Sequence, residues 1–491
     1  MASIHSNEDC NHNPRRTARL PVEVEGLVIS QLRADKPTLL NCSLVNESWL
    51  QQSRGALFET IIVKSACANH FCPFMDLLDS ARYVRESIQD LTLQAGPPCS
   101  SAAMWLSSDG LRQSWPPIDR VLLKTIASKL PKLKRLCLTQ VRFIERKGVQ
   151  NGDEDEHPST LQLKQLRLSS LGYMPHAEII PMLSSLSAFS QIGELEFYHL
   201  KTSQTLKPGQ AKGEFRPSQE PASIMTGSTT FKFPIPAISS FKFSATHATA
   251  VEFSRSVYAM LASKGNFSAL TSLSWAGDDW IALEEMAPFL QATAPHLRSL
   301  RLNMGTWVFE GRRNPPGSPR YFNRWDRIVK LSDTPLLESL TPTYNAPPGR
   351  ESHQVLYPVF STHTYLLSQM PPALRHLTLR FPLPDDGQEW DMTKDEYQQW
   401  YLDQLTEKRA LWDELDLTLD QSTSLHAVRV VFSSRWDNML DRLGPAVVQM
   451  MYRMHAKGIL WVSWQASISF RIMQSDLSPH PALQGMPYSF E

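Results

Sequence analysis

A short apolar signature recurs along most of this chain, and it limits the fold more than any other feature. The pattern is L-x-x-L-x-L with substitutions. Full copies are Ile88-Leu91-Leu93, Leu133-Leu136-Leu138, Leu163-Leu166-Leu168, Ile192-Leu195-Phe197, Ile238-Phe241-Phe243, Leu270-Leu273-Trp275, Leu297-Leu300-Leu302, Leu374-Leu377-Leu379 and Leu425-Val428-Val430, with a worn copy at Leu337-Leu340. One residue separates the last two apolar positions, so both side chains point to one face of a strand. Several copies follow a helical stripe that a proline closes. Leu122, Ile126 and Leu130 precede Pro131; Met286, Phe289, Leu290 and Thr293 precede Pro295; Leu366 and Met370 precede Pro372. The unit reads helix, proline turn, strand. A single unit cannot bury its apolar faces, whereas a stack can, with strands on the inner curve and helices outside.

This arrangement resembles a leucine-rich-repeat solenoid in a degenerate form. Copies begin between 27 residues (270 to 297) and 51 residues (374 to 425) apart, so the units are long and irregular. The Asn that follows the strand in regular members of that class is missing from most copies, with Asn303 the nearest. Segments without periodicity at 145–160, 201–230, 308–323, 341–354 and 384–405 read as inserted loops. Between the apolar positions of each strand, the intervening side chains face the concave side. Arg135, Arg167, Glu196, Tyr198, Lys242, Arg301, His376 and Arg380 are the candidates there for binding a target protein. Basic side chains outnumber acidic ones along this stripe, so an acidic partner surface is its electrostatic complement.

The segment before the repeats follows a different pattern. Pro21 suits a first helical turn, and Val24, Leu27, Val28 and Leu32 recur on one helical face. Asp35 and Pro37 mark the start of a second helix carrying Leu39, Leu40, Leu44 and Val45, with Cys42 beside them. A third begins at Asn46-Glu47-Ser48 and carries Trp49, Leu50, Leu57 and Phe58. Three short helices in about 40 residues are barely enough to fold alone, so such a unit leans on a neighbour.

These residues carry a second resemblance. Leu20-Pro21-x-Glu23, Leu32, Asp35-Lys36-Pro37-Thr38-Leu39-Leu40-x-Cys42-Ser43-Leu44-Val45 and Ser48-Trp49-Leu50 resemble an F-box, closest to the variant abundant in mushroom-forming fungi. The resemblance implies docking on the Skp adaptor of a cullin-RING ubiquitin ligase. By position, it assigns adaptor contacts to Leu20, Pro21, Val24, Val28, Leu39, Leu40, Val45 and Trp49. Glu25, where the family often has an apolar residue, and Gly26, inside the first helix, depart from the pattern. At the other end, Leu411-Trp412-x-x-Leu415-Asp416-x-x-Leu419 reads as a helix, followed by a strand at 425–432, a helix at 447–455 and a closing strand at 458–462. This W-x-x-L-D ending is similar to the same fungal family and is expected to cap the stack.

The expected architecture is therefore an α/β repeat: a flexible arm at 1–17, a three-helix F-box at 18–63, an irregular leucine-rich-repeat-like solenoid at 64–474 and a tail at 475–491. Lys plus Arg and Asp plus Glu both total 49, so net charge supports neither nucleic acid nor anionic membrane as a partner. No apolar run approaches the ~20 residues of a membrane helix, and the first twenty residues lack the core of a secretory signal. A cytoplasmic or nuclear location is expected. All six cysteines lie within the first 137 residues of a long chain, which does not suggest a disulfide scaffold. Cys67-x-x-His70-x-Cys72, with Cys99 as a distant fourth, is an incomplete zinc pattern and reads as ordinary thiols. There is no G-x-S-x-G, H-E-x-x-H, P-loop or G-x-G-x-x-G motif. The acidic pairs Asp278-Asp279 and Asp385-Asp386 fall in expected loops, and Trp275, Trp280 and Trp307 read as core or loop support. The expectation is a non-enzymatic receptor subunit without cofactor or metal; the alternatives are an interaction scaffold outside ubiquitination and, more remotely, an enzyme whose site is built from the inserted loops.

Overall fold

The structure, a computed structural model, describes residues 20–65, 71–95, 115–145, 161–173, 176–201, 234–245, 266–277, 280–303, 330–343, 356–382, 394–434 and 439–466, with the single positions 257, 261 and 328. The expected arm and tail, most of the insertions at 145–160, 201–230, 308–323 and 341–354, both acidic pairs, Trp307 and the Trp280 side chain lie outside the described residues. So do Cys67, His70 and Cys99, while Cys72 is exposed.

Three helices come first: α1 (Val22–Gln31), α2 (Lys36–Cys42) and α3 (Glu47–Phe58). Their starts are those the sequence predicts. The Pro21 carbonyl accepts from the backbone N–H groups of Val24 (2.9 Å) and Glu25 (3.1 Å). Asp35 caps α2, accepting from the Thr38 N–H (3.1 Å) and hydroxyl (2.6 Å), and Asn46 caps α3 by accepting from the Trp49 N–H (2.9 Å). Ile29, Leu39 and Cys42 form a small buried core, flanked by Leu32, Trp49, Ala56 and Leu57.

Helix α1 turns a different side inward from the one its apolar period predicts. Glu25 and Ile29 are buried, while Val24, Leu27 and Val28 are exposed. Apolar side chains surround this helix, so periodicity does not select a side. Polar contacts with α3 select it instead. The Ser48 hydroxyl donates to Glu25 Oε2 (2.6 Å) and accepts from Gln52 Nε2 (3.3 Å). A Cβ on Gly26 would lie 3.2 Å from Gln52 Oε1, so the glycine admits the close approach. Both departures from the F-box pattern are thus internal to the three-helix unit.

Helices α4 (Cys72–Ser80), α5 (Arg82–Ser87), α6 (Arg120–Lys129), α7 (His176–Leu186), α8 (Trp280–Thr293) and α9 (Leu356–Ser368) lie between strands. The strands are β1 (Thr60–Ser65), β2 (Asp90–Ala95), β3 (Pro117–Ile118), β4 (Arg135–Thr139), β5 (Arg142–Phe143), β6 (Gln162–Tyr173), β7 (Gln191–Lys201), β8 (Ala237–Ala245), β9 (Ser272–Gly277), β10 (Ser299–Asn303), β11 (Ser339–Thr343), β12 (His376–Pro382), β13 (Ala427–Ser434) and β14 (Leu460–Ala466). Strands β3 and β5 pair with each other, and the other twelve form one sheet in chain order. Every pairing in that sheet is parallel. Strand β1 belongs to it, so the sheet begins inside the segment the sequence assigns to the helical unit.

All ten copies of the signature lie on consecutive strands, β2, β4 and β6 through β13. Their leucines and replacements are buried, in one hydrophobic cluster with residues of α4 through α9. The second residue of the signature has a role its side chain does not reveal. Its carbonyl seats two N–H groups from the next strand's start, one on each lone pair. Gln89 O accepts from Lys134 (2.8 Å) and Arg135 (3.0 Å); Lys134 O from Lys164 (2.8 Å) and Gln165 (3.1 Å); Glu338 O from Arg375 and His376 (both 2.9 Å). This ladder fixes the register and aligns the polar faces of successive strands. Pro342 holds the last apolar position of the worn copy. Strand β11 pairs with β10 along its whole length but with β12 only at Ser339–His376 and Leu340–Leu377. A proline has no N–H to extend that pairing.

Helices α10 (Lys394–Glu407), α11 (Arg409–Asp420), α12 (Met439–Met450) and α13 (Tyr452–Ala456) complete the described fold. Helix α10 corrects the loop expected at 384–405. Its surface is polar, but Tyr401 and Leu405, one turn apart, are buried in the common core. Trp412, Leu415 and Leu419 of α11 are buried as their spacing predicts. Asp416 is buried with them and accepts from the backbone N–H groups of Arg453 (3.0 Å) and Met454 (3.2 Å), tying α11 to the start of α13. None of the helices among the described residues is long and apolar enough to cross a membrane.

Candidate interaction surfaces

The first surface is the exposed part of the stretch from Leu20 to Val45, which spans α1 and α2. Among the described residues, eight of the seventeen exposed large apolar side chains lie between Leu20 and Val45. Such a concentration makes this stretch a candidate contact surface, because water disfavours clustered apolar side chains more than scattered ones. Leu44 is 84% exposed and Leu27 65%. Of the residues the resemblance assigns, Leu20, Pro21, Val24, Val28, Leu40 and Val45 are exposed here. Leu39 is a correction: it is fully buried in the core of the unit. Trp49 is half-buried against that same core. Val22, Leu27 and Leu44 are exposed in the same stretch and lie outside that set. For Leu44 the signal is its four-residue spacing from Leu40, just past the end of α2.

The three-helix unit is anchored to the sheet body. Phe58 meets Tyr83 of α5 edge-on (5.9 Å between centroids), and the Arg54 guanidinium lies 5.1 Å above the same ring. A polar cleft of about 300 Å³ at this junction is lined by residues including Gly26, Arg33, Gly55, Glu59 and Lys132, with Arg33 and Glu59 3.5 Å apart.

The second surface is the polar face of the sheet, opposite the helices. Register places Asp90, Arg135, Gln165 and Glu194 in one row. The next row runs Thr92, Cys137, Arg167, Glu196, Lys242, Ser274, Arg301 and Thr341. Over β2 to β8 its charges pair off. Arg135 Nε donates to Asp90 (2.6 Å), Lys242 lies 2.9 Å from Glu194, and Arg167 lies 3.8 Å from Glu196. The Arg167 guanidinium also stacks 4.7 Å over the Tyr198 ring. Tyr198 is itself buried, so it supports Arg167 and presents little surface of its own, contrary to its sequence assignment. Burial pushes the Glu196 carboxyl up, against the pull of Arg167 and Lys242.

Beyond β9 the balance changes. Arg301 is half-buried, and burial holds its guanidinium below the usual arginine value. Arg380 is pushed down to about 9, first by burial and then by the charges of Arg301 and Arg429. His376 is exposed at the start of β12. Among the described residues no three His, Cys, Asp or Glu side chains converge as a metal site. The sheet-face candidates other than Tyr198 are thus carried on one surface, as strand alternation predicts. No protein-family model matches this chain, and no curated protein matches it in sequence.

Proposed function

We propose that this chain is the substrate-recognition subunit of a Skp-cullin-F-box type ubiquitin ligase. Its three-helix unit is read as an F-box that docks on the Skp adaptor, and its strand-helix body as a leucine-rich-repeat-like solenoid that holds a target protein. The observation that supports the reading is the concentration of exposed apolar side chains between Leu20 and Val45, on a unit whose own buried core is small. Glu25 and Gly26 pack inward against Ser48 and Gln52, so neither disturbs the outer face. Such a subunit supplies proximity; the transfer chemistry belongs to its partners.

The test is capture of the Skp adaptor by the full chain, beside a Leu27→Asp, Leu44→Asp double variant. Wild-type capture, lost in a variant that melts like the wild type, supports the reading. A folded wild type that captures no adaptor refutes it, and the second reading, an interaction scaffold outside ubiquitination, then takes its place.

A further inference from the structure

Strand β1 is one end of the sheet, with β2 as its neighbour. The Glu59 carbonyl accepts from the backbone N–H groups of Gln89 and Asp90 (both 2.9 Å), so residues 59, 61 and 63 direct their backbone groups to β2. In a parallel pair the residues between them direct theirs the other way. Thr60, Ile62 and Lys64 therefore present N–H and C=O groups on the outer edge. Among the described residues the Ile62 and Lys64 groups have no partner there, and the Thr60 carbonyl lies 3.5 Å from Lys36 Nζ. The side chains at this edge are open as well: Lys36, Thr60 and Lys64 are exposed, and Ile62 is 59% exposed. On the helix side, Ile61 and Val63 are half-buried, whereas their register partners Leu91 and Leu93 on β2 are buried. An inner strand has a neighbour on each side; β1 lacks the outer one.

Two lysines frame this edge without a counter-charge. Neither Lys36 nor Lys64 forms an ion pair among the described residues. The carboxylates next to them along the chain or the register are already engaged: Asp35 with Thr38, Glu59 with Arg33, and Asp90 with Arg135. An unpaired strand edge binds extended peptide through its backbone groups, and alternate side chains set which peptide. On the polar side, carboxylates complement Lys36 and Lys64. On the helix side, apolar side chains complete the cover of Ile61 and Val63. Self-pairing is disfavoured, since it gathers the lysines of both copies along one strand pair.

We propose that the outer edge of β1 takes up, as a further strand, an extended segment of a partner protein in which acidic and apolar residues alternate. The backbone groups of Ile62 and Lys64 bond to the segment, its carboxylates meet Lys36 and Lys64, and its apolar side chains cover Ile61 and Val63. Charge complementarity selects the occupant. The proposal does not depend on the receptor reading, because it invokes neither the adaptor nor the polar face of the sheet.

The test is fluorescence anisotropy of a labelled peptide of alternating glutamate and valine on the full chain. Wild type binds it at least ~fivefold more tightly than a lysine–valine peptide of the same length. Ile62→Pro removes an outward N–H and leaves the β1–β2 bonds in place, which an edge strand tolerates. It weakens peptide binding at least ~tenfold. Lys64→Glu, at an exposed position, weakens it ~fivefold, whereas Lys330→Glu, exposed ahead of β11, leaves it unchanged. The proposal is overturned if wild type does not bind the glutamate peptide, or if the lysine peptide binds as tightly. It is overturned equally if Lys64→Glu, or an Ile62→Pro protein that melts like the wild type, binds as the wild type does. A chain that sediments as a dimer, and that Ile62→Pro returns to a monomer, would also overturn it, for a second copy then occupies the edge.

Discussion

His363 lies in the interior of the fold, fully buried on α9, with its ring edge-on to Phe381 (5.5 Å between centroids). Phe381 in turn packs against Phe360 and Trp412. Burial pushes the imidazole down from 6.5 to about 3. Between those two values the unfolded chain binds the proton and the folded chain does not. Stability from this site is therefore complete above about pH 6.5 and falls as pH drops through the window. At ~1.4 kcal/mol per unit, the whole shift amounts to at most ~5 kcal/mol. Between pH 7 and pH 5 the loss is ~2 kcal/mol. The perturbation is His363→Leu, which keeps an apolar side chain in place and removes the titration. The assay is urea unfolding of both proteins at pH 7 and pH 5. Other titrating groups contribute equally to both, so the difference between the two pH losses isolates His363. The wild type should lose ~2 kcal/mol more than the variant. Equal losses would show that the imidazole is hydrated or charged in the folded state and would refute the reasoning.

Three further outcomes are expected. Asp416→Ala leaves two backbone N–H groups of the α13 start without their acceptor in a buried setting, and should cost ~3–5 kcal/mol in urea unfolding; a variant with an unchanged midpoint would remove Asp416 from the account of the carboxy-terminal end. Gly193→Ala should destabilise by ~1–3 kcal/mol, since the new Cβ would sit 2.7 Å from the Lys164 carbonyl oxygen, whereas Gly26→Ala should raise stability by up to ~1 kcal/mol, because only the flexible end of Gln52 must move; thermal melts of the pair check the contrast. Leu39→Ala should cost ~2–5 kcal/mol, while Leu44→Asp should change stability by no more than ~0.5 kcal/mol, a separation that amide hydrogen exchange in α1 to α3 measures.

The sheet was legible because its signal is covalent in origin. Side chains alternate along a strand whatever surrounds it, so L-x-L announces a buried side and a polar side in each copy. Hence all ten copies, their order and the side on which Arg135, Arg167 and Arg301 lie follow from the sequence. Helix starts at Asp35 and Asn46 were legible for the same reason, since a cap is satisfied within a few residues of itself. Helix α10 was hidden because its buried positions, Tyr401 and Leu405, are few among charged neighbours.

What the tertiary structure alone decided is which of several equivalent groups are satisfied. Val24, Leu27 and Ile29 are similar side chains on one helix, yet only Ile29 faces the core, because Glu25 and Gly26 meet Ser48 and Gln52 of a helix distant in sequence. Leu39 and Leu40 are neighbours in the same motif, and packing on α3 buries one and leaves the other exposed. Arg167 and Arg301 occupy equivalent positions of the signature, but Glu196 stands beside the first and no carboxylate among the described residues stands beside the second. Local pattern is set by neighbours along the chain; burial and charge pairing are set by neighbours in space, which the sequence does not order.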